Sequence, residues 1–301
     1  MALQTLPGLP QIGLRINYGQ FPGTIARIPE SIKGLPDTSP AFGAFKAGRY
    51  AQVEQEDQEG NPRRLLIFTD ASKTEYSRDE FNFDTMRTHV VWYCKLGIAV
   101  GWQEKNRTTG RMDWKEKTQD MTDRLLRGTW LIDRCEFEAV KMGIANVALP
   151  FYKGISPNAD ERGHRIGEHV NPWVADTGPN ITEVALYTDS DNALTFIDDS
   201  AASFPNRQRA WRGAEFALRR LNKAADEMVS QGVAVELNWT PRNAEAFGIV
   251  WVDCWAKIAR GANPWGEYAD ELRYRKDPHW RLWWNEMRAQ GRGAEFDPPG
   301  H

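Results

Sequence analysis

The amino-acid sequence predicts an α/β protein built on a mixed sheet, and three observations predict it. Short apolar runs at 64–70 and 183–189 each end in Thr-Asp, as buried strands do when they enter a polar turn. Between them, residues 129–147 place Ile132, Cys135, Glu136, Ala139, Val140, Gly143 and Ile144 at helical spacing. After 189 helix and strand patterns keep alternating, which is the order of an α/β chain.

The elements follow in order. Residues 1–62 read as an N-terminal extension, partly irregular, broken by Pro7, Pro10, Pro22, Pro29, Pro36 and Pro40 and closed by an acidic stretch at 54–60. The main domain is expected over 63–262, opening with the first apolar run. Residues 90–93 and 97–102 read as strand, 106–110 as a turn and 112–114 as a returning strand, which makes an antiparallel hairpin. The helix over 129–147 leads to a Pro- and Gly-containing connection, 153–180, and then to the second apolar run. Helices are expected at 190–199 and 207–230, an alternating strand at 233–239, a loop at Pro241-Arg242-Asn243 and a helix at 248–260. Residues 263–301 form a helical tail in which Trp280, Trp283 and Trp284 are expected to pack on the domain rather than stack on bases.

Composition bounds the function. The chain has 301 residues, 41% hydrophobic and 26% charged, a globular balance. No apolar run approaches the roughly 20 residues that span a bilayer, and the first residues lack the basic and apolar regions of a secretory signal. Three cysteines without a CxxC pair argue against a disulfide framework and a thiolate zinc site, so a reducing, intracellular compartment (cytoplasm or nucleus) is expected. A net charge of −3 is not that of a generally basic nucleic-acid binder; phosphate contacts would fall to local basic stretches.

Four acids carry the chemistry. If the two Thr-Asp strands are parallel neighbours, Asp70 and Asp189 meet at one sheet edge, where open α/β sheets bind ligands; the competing role is local turn chemistry. On the helix, Ile132 and Val140 lie within about 40° of Glu136 and Gly143 within about 20°, so Glu136 belongs to the apolar stripe. Glu138, about 160° away, is expected to face solvent. A carboxylate on a buried face is costly unless paired or bound to metal. Asp253 shares a face with Ile249 and Ala256, with a salt bridge to Lys257 as the alternative. Four such groups could surround two divalent ions.

The blocks that hold these acids resemble the ribonuclease H family, type 1 branch. Leu66-Ile67-Phe68-Thr69-Asp70-Ala71-Ser72 resembles its first strand, Cys135-Glu136-Phe137-Glu138-Ala139 its A-E-L-x-A helix, Tyr187-Thr188-Asp189-Ser190 its T-D-S strand end, and Trp239-Thr240-Pro241-Arg242-Asn243 its W-V-P-G-H loop. Gly248-Ile249-Val250-Trp251-Val252-Asp253 falls on its G-N-E-x-A-D segment, without that Asn and Glu. The resemblance implies a ribonuclease H-like fold, a central mixed five-stranded sheet flanked by helices, with insertions near 73–128 and 153–180. It implies a metal-dependent endonuclease that hydrolyses the RNA strand of RNA–DNA hybrids with two Mg²⁺ or Mn²⁺ ions held by Asp70, Glu136, Asp189 and Asp253. Asn243 stands where the family has a histidine, and Asn transfers no proton at neutral pH. Hybrid contacts are expected from Ser72, Ser190 and Arg242 in the matched blocks and from the basic and aromatic run Arg207, Arg209, Trp211, Arg212, Arg219, Arg220 and Lys223, which reads equally well as a solvated helix face with core Trp211 and Phe216. A DNA-cleaving or strand-transfer enzyme of the same fold, or a non-catalytic nucleic-acid-binding module, are the alternatives.

Overall fold

A computed structural model of the chain describes residues 20–59, 63–106, 109–124, 130–155, 157, 181–198, 214–241, 246–262 and 278–292. Its elements are β1 (Thr24–Ala26), α1 (Pro40–Glu59), β2 (Arg64–Asn82), β3 (Arg87–Lys105), β4 (Met112–Asp120), β5 (Asp123–Arg124), α2 (Trp130–Met142), a π-helical turn (Gly143–Ala148), α3 (Leu149–Tyr152), β6 (Glu183–Thr188), α4 (Asp191–Asp198), α5 (Ala214–Val229), β7 (Ala234–Trp239), α6 (Phe247–Ala259) and α7 (Pro278–Ala289). No helix among the described residues is long and apolar enough to cross a membrane.

The strands make one mixed sheet in the order β1-β7-β6-β2-β3-β4, with β5 on β3. β2, β6, β7 and β1 run parallel, while β3 pairs antiparallel with β2, β4 and β5. The sheet thus has seven strands, not the five expected. The added strands, β1 and β5, are three and two residues long, too short to show an alternating pattern. The N-terminal segment is also more regular than its prolines suggest. β1 covers the free edge of β7, and the acidic stretch at 54–59 is the end of the 20-residue helix α1. α1 is mostly exposed and fully buries only Phe42 and Val53, so its apolar face is too narrow to read as a stripe.

Two cores cover the two faces of the sheet. Ile67, Ala71, Phe137, Val140, Leu186 and Leu221 belong to one; Phe68, Ala99, Tyr187, Trp251, Val252 and Trp283 belong to the other, beneath α6 and α7. Along β2, residues 65, 67 and 71 thus serve the first core and 66 and 68 the second, as a period of two requires. Gly97, Ala99 and Gly101 share one side of β3 and let α6 approach the strand closely. Trp280, Trp283 and Trp284 are buried, so the tail helix packs on the domain as expected; Trp283 sits 5.5 Å from Trp255 and 6.4 Å from Trp251 between ring centroids. Cys94, Cys135 and Cys254 are buried thiols.

Asp57 links α1 to α6. Its Oδ2 accepts the Gly248 backbone N–H at 3.3 Å, at the start of α6. Burial pushes its carboxyl up to about 6, against the opposing hydrogen bonds from Gly248 and Phe247. The folded chain therefore holds this proton more tightly than the unfolded chain, whose Asp titrates near 4. The stability it contributes is present below about pH 4 and lost as pH rises through about 6. Asp57→Asn keeps an acceptor for Gly248 and removes the buried charge. It is expected to stabilise the protein by about 1–2 kcal/mol at pH 7 and hardly at all at pH 4, read by urea unfolding at both values.

Candidate metal centre

β2 brings Asp70 to the site in a way the sequence pattern conceals. The strand does not end at Asp70 but continues to Asn82, paired without interruption to β3. What ends is the parallel pairing with β6, at Thr69 opposite Thr188. Asp70 therefore stands where β6 leaves the sheet. Asp189 is the residue at which β6 has just ended, so the two Thr-Asp pairs sit side by side in register. The Thr69 hydroxyl donates to the Tyr187 carbonyl at 3.3 Å, and Trp239 Nε1 donates to the Asp189 carbonyl at 3.1 Å, which fixes the end of β6. Asp70 Oδ1 also accepts the Ala71 N–H at 2.8 Å, so local turn chemistry operates alongside the site.

α2 supplies the third acid. Glu136 is 4% exposed, on the buried face as its phase predicts. Gly143, the first residue of the π-helical turn that continues α2, allows a close approach to the sheet: a Cβ there would lie 2.5 Å from Leu186 Cδ1. Ligand oxygens of Asp70, Glu136 and Asp189 all lie within 4.8 Å of one another. This is close enough for the three to hold a metal ion. All three donors are hard carboxylate oxygens with no thiolate or imidazole among them, a set that suits Mg²⁺ or Mn²⁺ better than softer metals. Glu136→Gln is expected to raise the stability of the metal-free protein by about 1 kcal/mol, because three like charges share this space. The same change should shrink the rise in melting temperature caused by MnCl₂, compared with EDTA, in thermal unfolding.

Glu138 corrects the sequence reading. It does not face solvent; it is 8% exposed and accepts from Arg134 Nη2 at 2.7 Å and Lys141 Nζ at 2.6 Å. Burial works to raise its carboxyl, but the two cations outweigh it and hold the group below the usual carboxylate range. A salt bridge one helical turn away makes this inward position tolerable, which angle alone does not reveal.

Asp253 lies outside the three-acid cluster but lines the same cavity, with Thr69, Asp70, Asp189, Thr240, Ile249 and His279. Lys257 Nζ donates to Asp253 Oδ2 at 2.6 Å, and His279 Nδ1 lies 3.5 Å from the same oxygen. The salt bridge weighed as an alternative is therefore present, although the side chain also faces the site. Burial works upward on its carboxyl, but His279 and Lys257 outweigh it and hold Asp253 below the usual range. His279 was not singled out by sequence, since it shows no ligand spacing and enters the cavity from α7, far along the chain.

The other expected contacts divide. Ser72 is half-buried and its Oγ accepts from Arg260 Nε at 2.8 Å. Ser190 is an N-cap: its Oγ accepts the Ala193 N–H at 3.1 Å at the start of α4. Two further acids near these blocks have other partners: Asp133 accepts from Asn192 Nδ2 at 3.1 Å and Asp191 from Arg27 Nε at 3.3 Å. Arg219, Arg220 and Lys223 are exposed on α5, and Phe216 is 77% exposed rather than core; Arg207, Arg209, Trp211, Arg212, Arg242 and Asn243 lie outside the described residues. Neither a scan against protein-family models nor a search of curated proteins finds a match for this chain.

Proposed function

We propose that this chain is a metal-dependent endonuclease of the ribonuclease H-like type, hydrolysing the RNA strand of RNA–DNA hybrids. The convergence of Asp70, Glu136 and Asp189 carries the reading: three acids from two strands and a helix, far apart in sequence, meet within 4.8 Å at one sheet edge. An α/β architecture with a mixed sheet flanked by helices supports the reading, with seven strands in place of five.

Asp70, Glu136 and Asp189 would hold the ions, and Asp253 faces the same cavity. A pair of divalent ions, when bound, supplies a water acidified at neutral pH and positive charge beside the departing 3′ oxygen, leaving 3′-hydroxyl and 5′-phosphate ends. The protein's own part is to fix its carboxylates in place. Buried backbone contacts at Tyr187 and Asp189 immobilise the strand ends, and Lys257 keeps Asp253 charged and oriented. His279 contacts the same Asp253 oxygen and lines the cavity.

The test is cleavage of labelled RNA–DNA hybrid, duplex DNA and single-stranded RNA of one sequence with MgCl₂ or MnCl₂. Hybrid cleavage that EDTA abolishes is expected. Cleavage of DNA alone would replace this reading with a DNA-cleaving or strand-transfer enzyme, and binding without cleavage of any substrate would leave a non-catalytic module.

A further inference from the structure

β2 and β3 continue far beyond the sheet. Pairing to β6 stops at Thr69, pairing to β4 stops at Gly97, and β5 reaches only Tyr93 and Cys94. Residues 77–92 thus form a two-stranded ribbon with no third strand among the described residues. Ten residues separate Ser72 from the end of β2, so the arm reaches about 33 Å past the carboxylate site.

The ribbon's charge is sorted by side. Its register with β3 is unbroken from Asp70 to Asn82, so even-numbered positions of β2 and their partners keep one side. The side continuous with Asp70 and Ser72 carries Arg78, Arg87 and Lys95 against one carboxylate, Glu80. From Lys73 and Leu96 outward the opposite side carries Glu75 and Asp79 and one cation, Lys73, which is paired to Glu75 at 3.1 Å. Arg78 and Arg87 are exposed. Arg260, bonded to Ser72, extends the cationic line to the foot of the arm. Between them Tyr76 and Tyr93 stack at 5.3 Å, with Lys95 5.7 Å above Tyr76. At the tip Phe83 and Met86 are 81% and 72% exposed, a costly apolar surface for a protein alone in water.

We propose that this ribbon is a substrate arm, with its Arg78–Arg87 side lying against the phosphates of a duplex nucleic acid whose scissile strand occupies the carboxylate site. The inference rests on the nuclease reading above. A two-stranded ribbon fits a duplex groove, and its strong twist turns the cationic side along a helical path. Phe83 and Met86 at the tip are then the groups that reach base steps, as apolar side chains do in other groove-binding arms.

The experiment compares the full chain with Arg78→Ala/Arg87→Ala. Fluorescence anisotropy reads binding of a labelled RNA–DNA hybrid and of duplex DNA, with CaCl₂ in place of MgCl₂ and over a salt series. Thermal unfolding checks that the variant is folded. The arm predicts about tenfold weaker binding at moderate salt and a slope of log K against log salt reduced by about 2. Unchanged affinity and slope in a folded variant overturn the arm, as does failure of the parent chain to bind either duplex. Binding that depends on the arginines in a chain that cleaves nothing would keep the arm and remove the nuclease reading. Cleavage by a chain whose binding ignores the arginines would do the reverse.

Discussion

Asp70→Asn is expected to lower metal-dependent hybrid cleavage by about 10³-fold or more, with the fold intact. A metal ion contributes several kcal/mol of charge stabilisation, and each 1.36 kcal/mol is about tenfold in rate. Asp70 is one of the three acids whose ligand oxygens lie within 4.8 Å of one another, on the strand between β6 and β3, so its loss removes one donor of the proposed centre. Asn retains an oxygen for the Ala71 N–H, so local backbone geometry survives. Single-turnover cleavage at saturating MgCl₂, with circular dichroism and thermal unfolding on the same samples, separates a chemical loss from a folding loss. Activity within tenfold of the parent would remove Asp70, and the proposed centre with it, from the chemistry.

Gly97→Ala is expected to cost about 3 kcal/mol of stability, the upper part of the range for overpacking a filled core. A Cβ at Gly97 would lie 2.4 Å from the Ala256 carbonyl oxygen and 2.4 Å from the Arg260 nitrogen. Both are backbone atoms of the end of α6, so no rotamer can relieve the contact; the helix must lift. The same helix holds Asp253, and Arg260 bonds Ser72, so the site should loosen with it. Urea unfolding gives the stability loss, and the MnCl₂-induced rise in melting temperature should fall in parallel. A change below about 0.5 kcal/mol, the level of an ordinary surface substitution, would mean that α6 does not press on β3 at this point.

The sequence exposed the parts of the site that follow a period. β6 and the start of β2 are apolar runs, and α2 carries a clear stripe, so Asp70, Glu136 and Asp189 can be placed before any coordinates exist. The four-acid grouping was only partly legible, because Asp253 has a cation one turn away whose pairing depends on side-chain reach rather than helix phase. Glu138 shows the limit of that phase argument from the other side: its angle points away from Glu136, yet Arg134 and Lys141 let it remain buried. β1 and α1 were hidden because a three-residue strand has no period and a mostly exposed helix has little apolar face. The long ribbon was hidden because polar and apolar residues mix where no third strand buries a side. His279 was invisible because only tertiary packing, the docking of α7 on α6, brings it to Asp253.

That docking also gives the protein a built-in optical gauge. Trp251 and Trp255 on α6 meet Trp283 on α7, which also packs against Trp280 and Trp284, with ring centroids 5.5 to 6.4 Å apart. Indoles this close exchange excitation and produce near-ultraviolet bands that vanish when they separate. The helix that delivers His279 therefore reports its own position through emission and dichroism, without any attached dye. Metal titrations followed by this intrinsic signal would show whether filling the carboxylate centre draws α7 down or leaves it undisturbed.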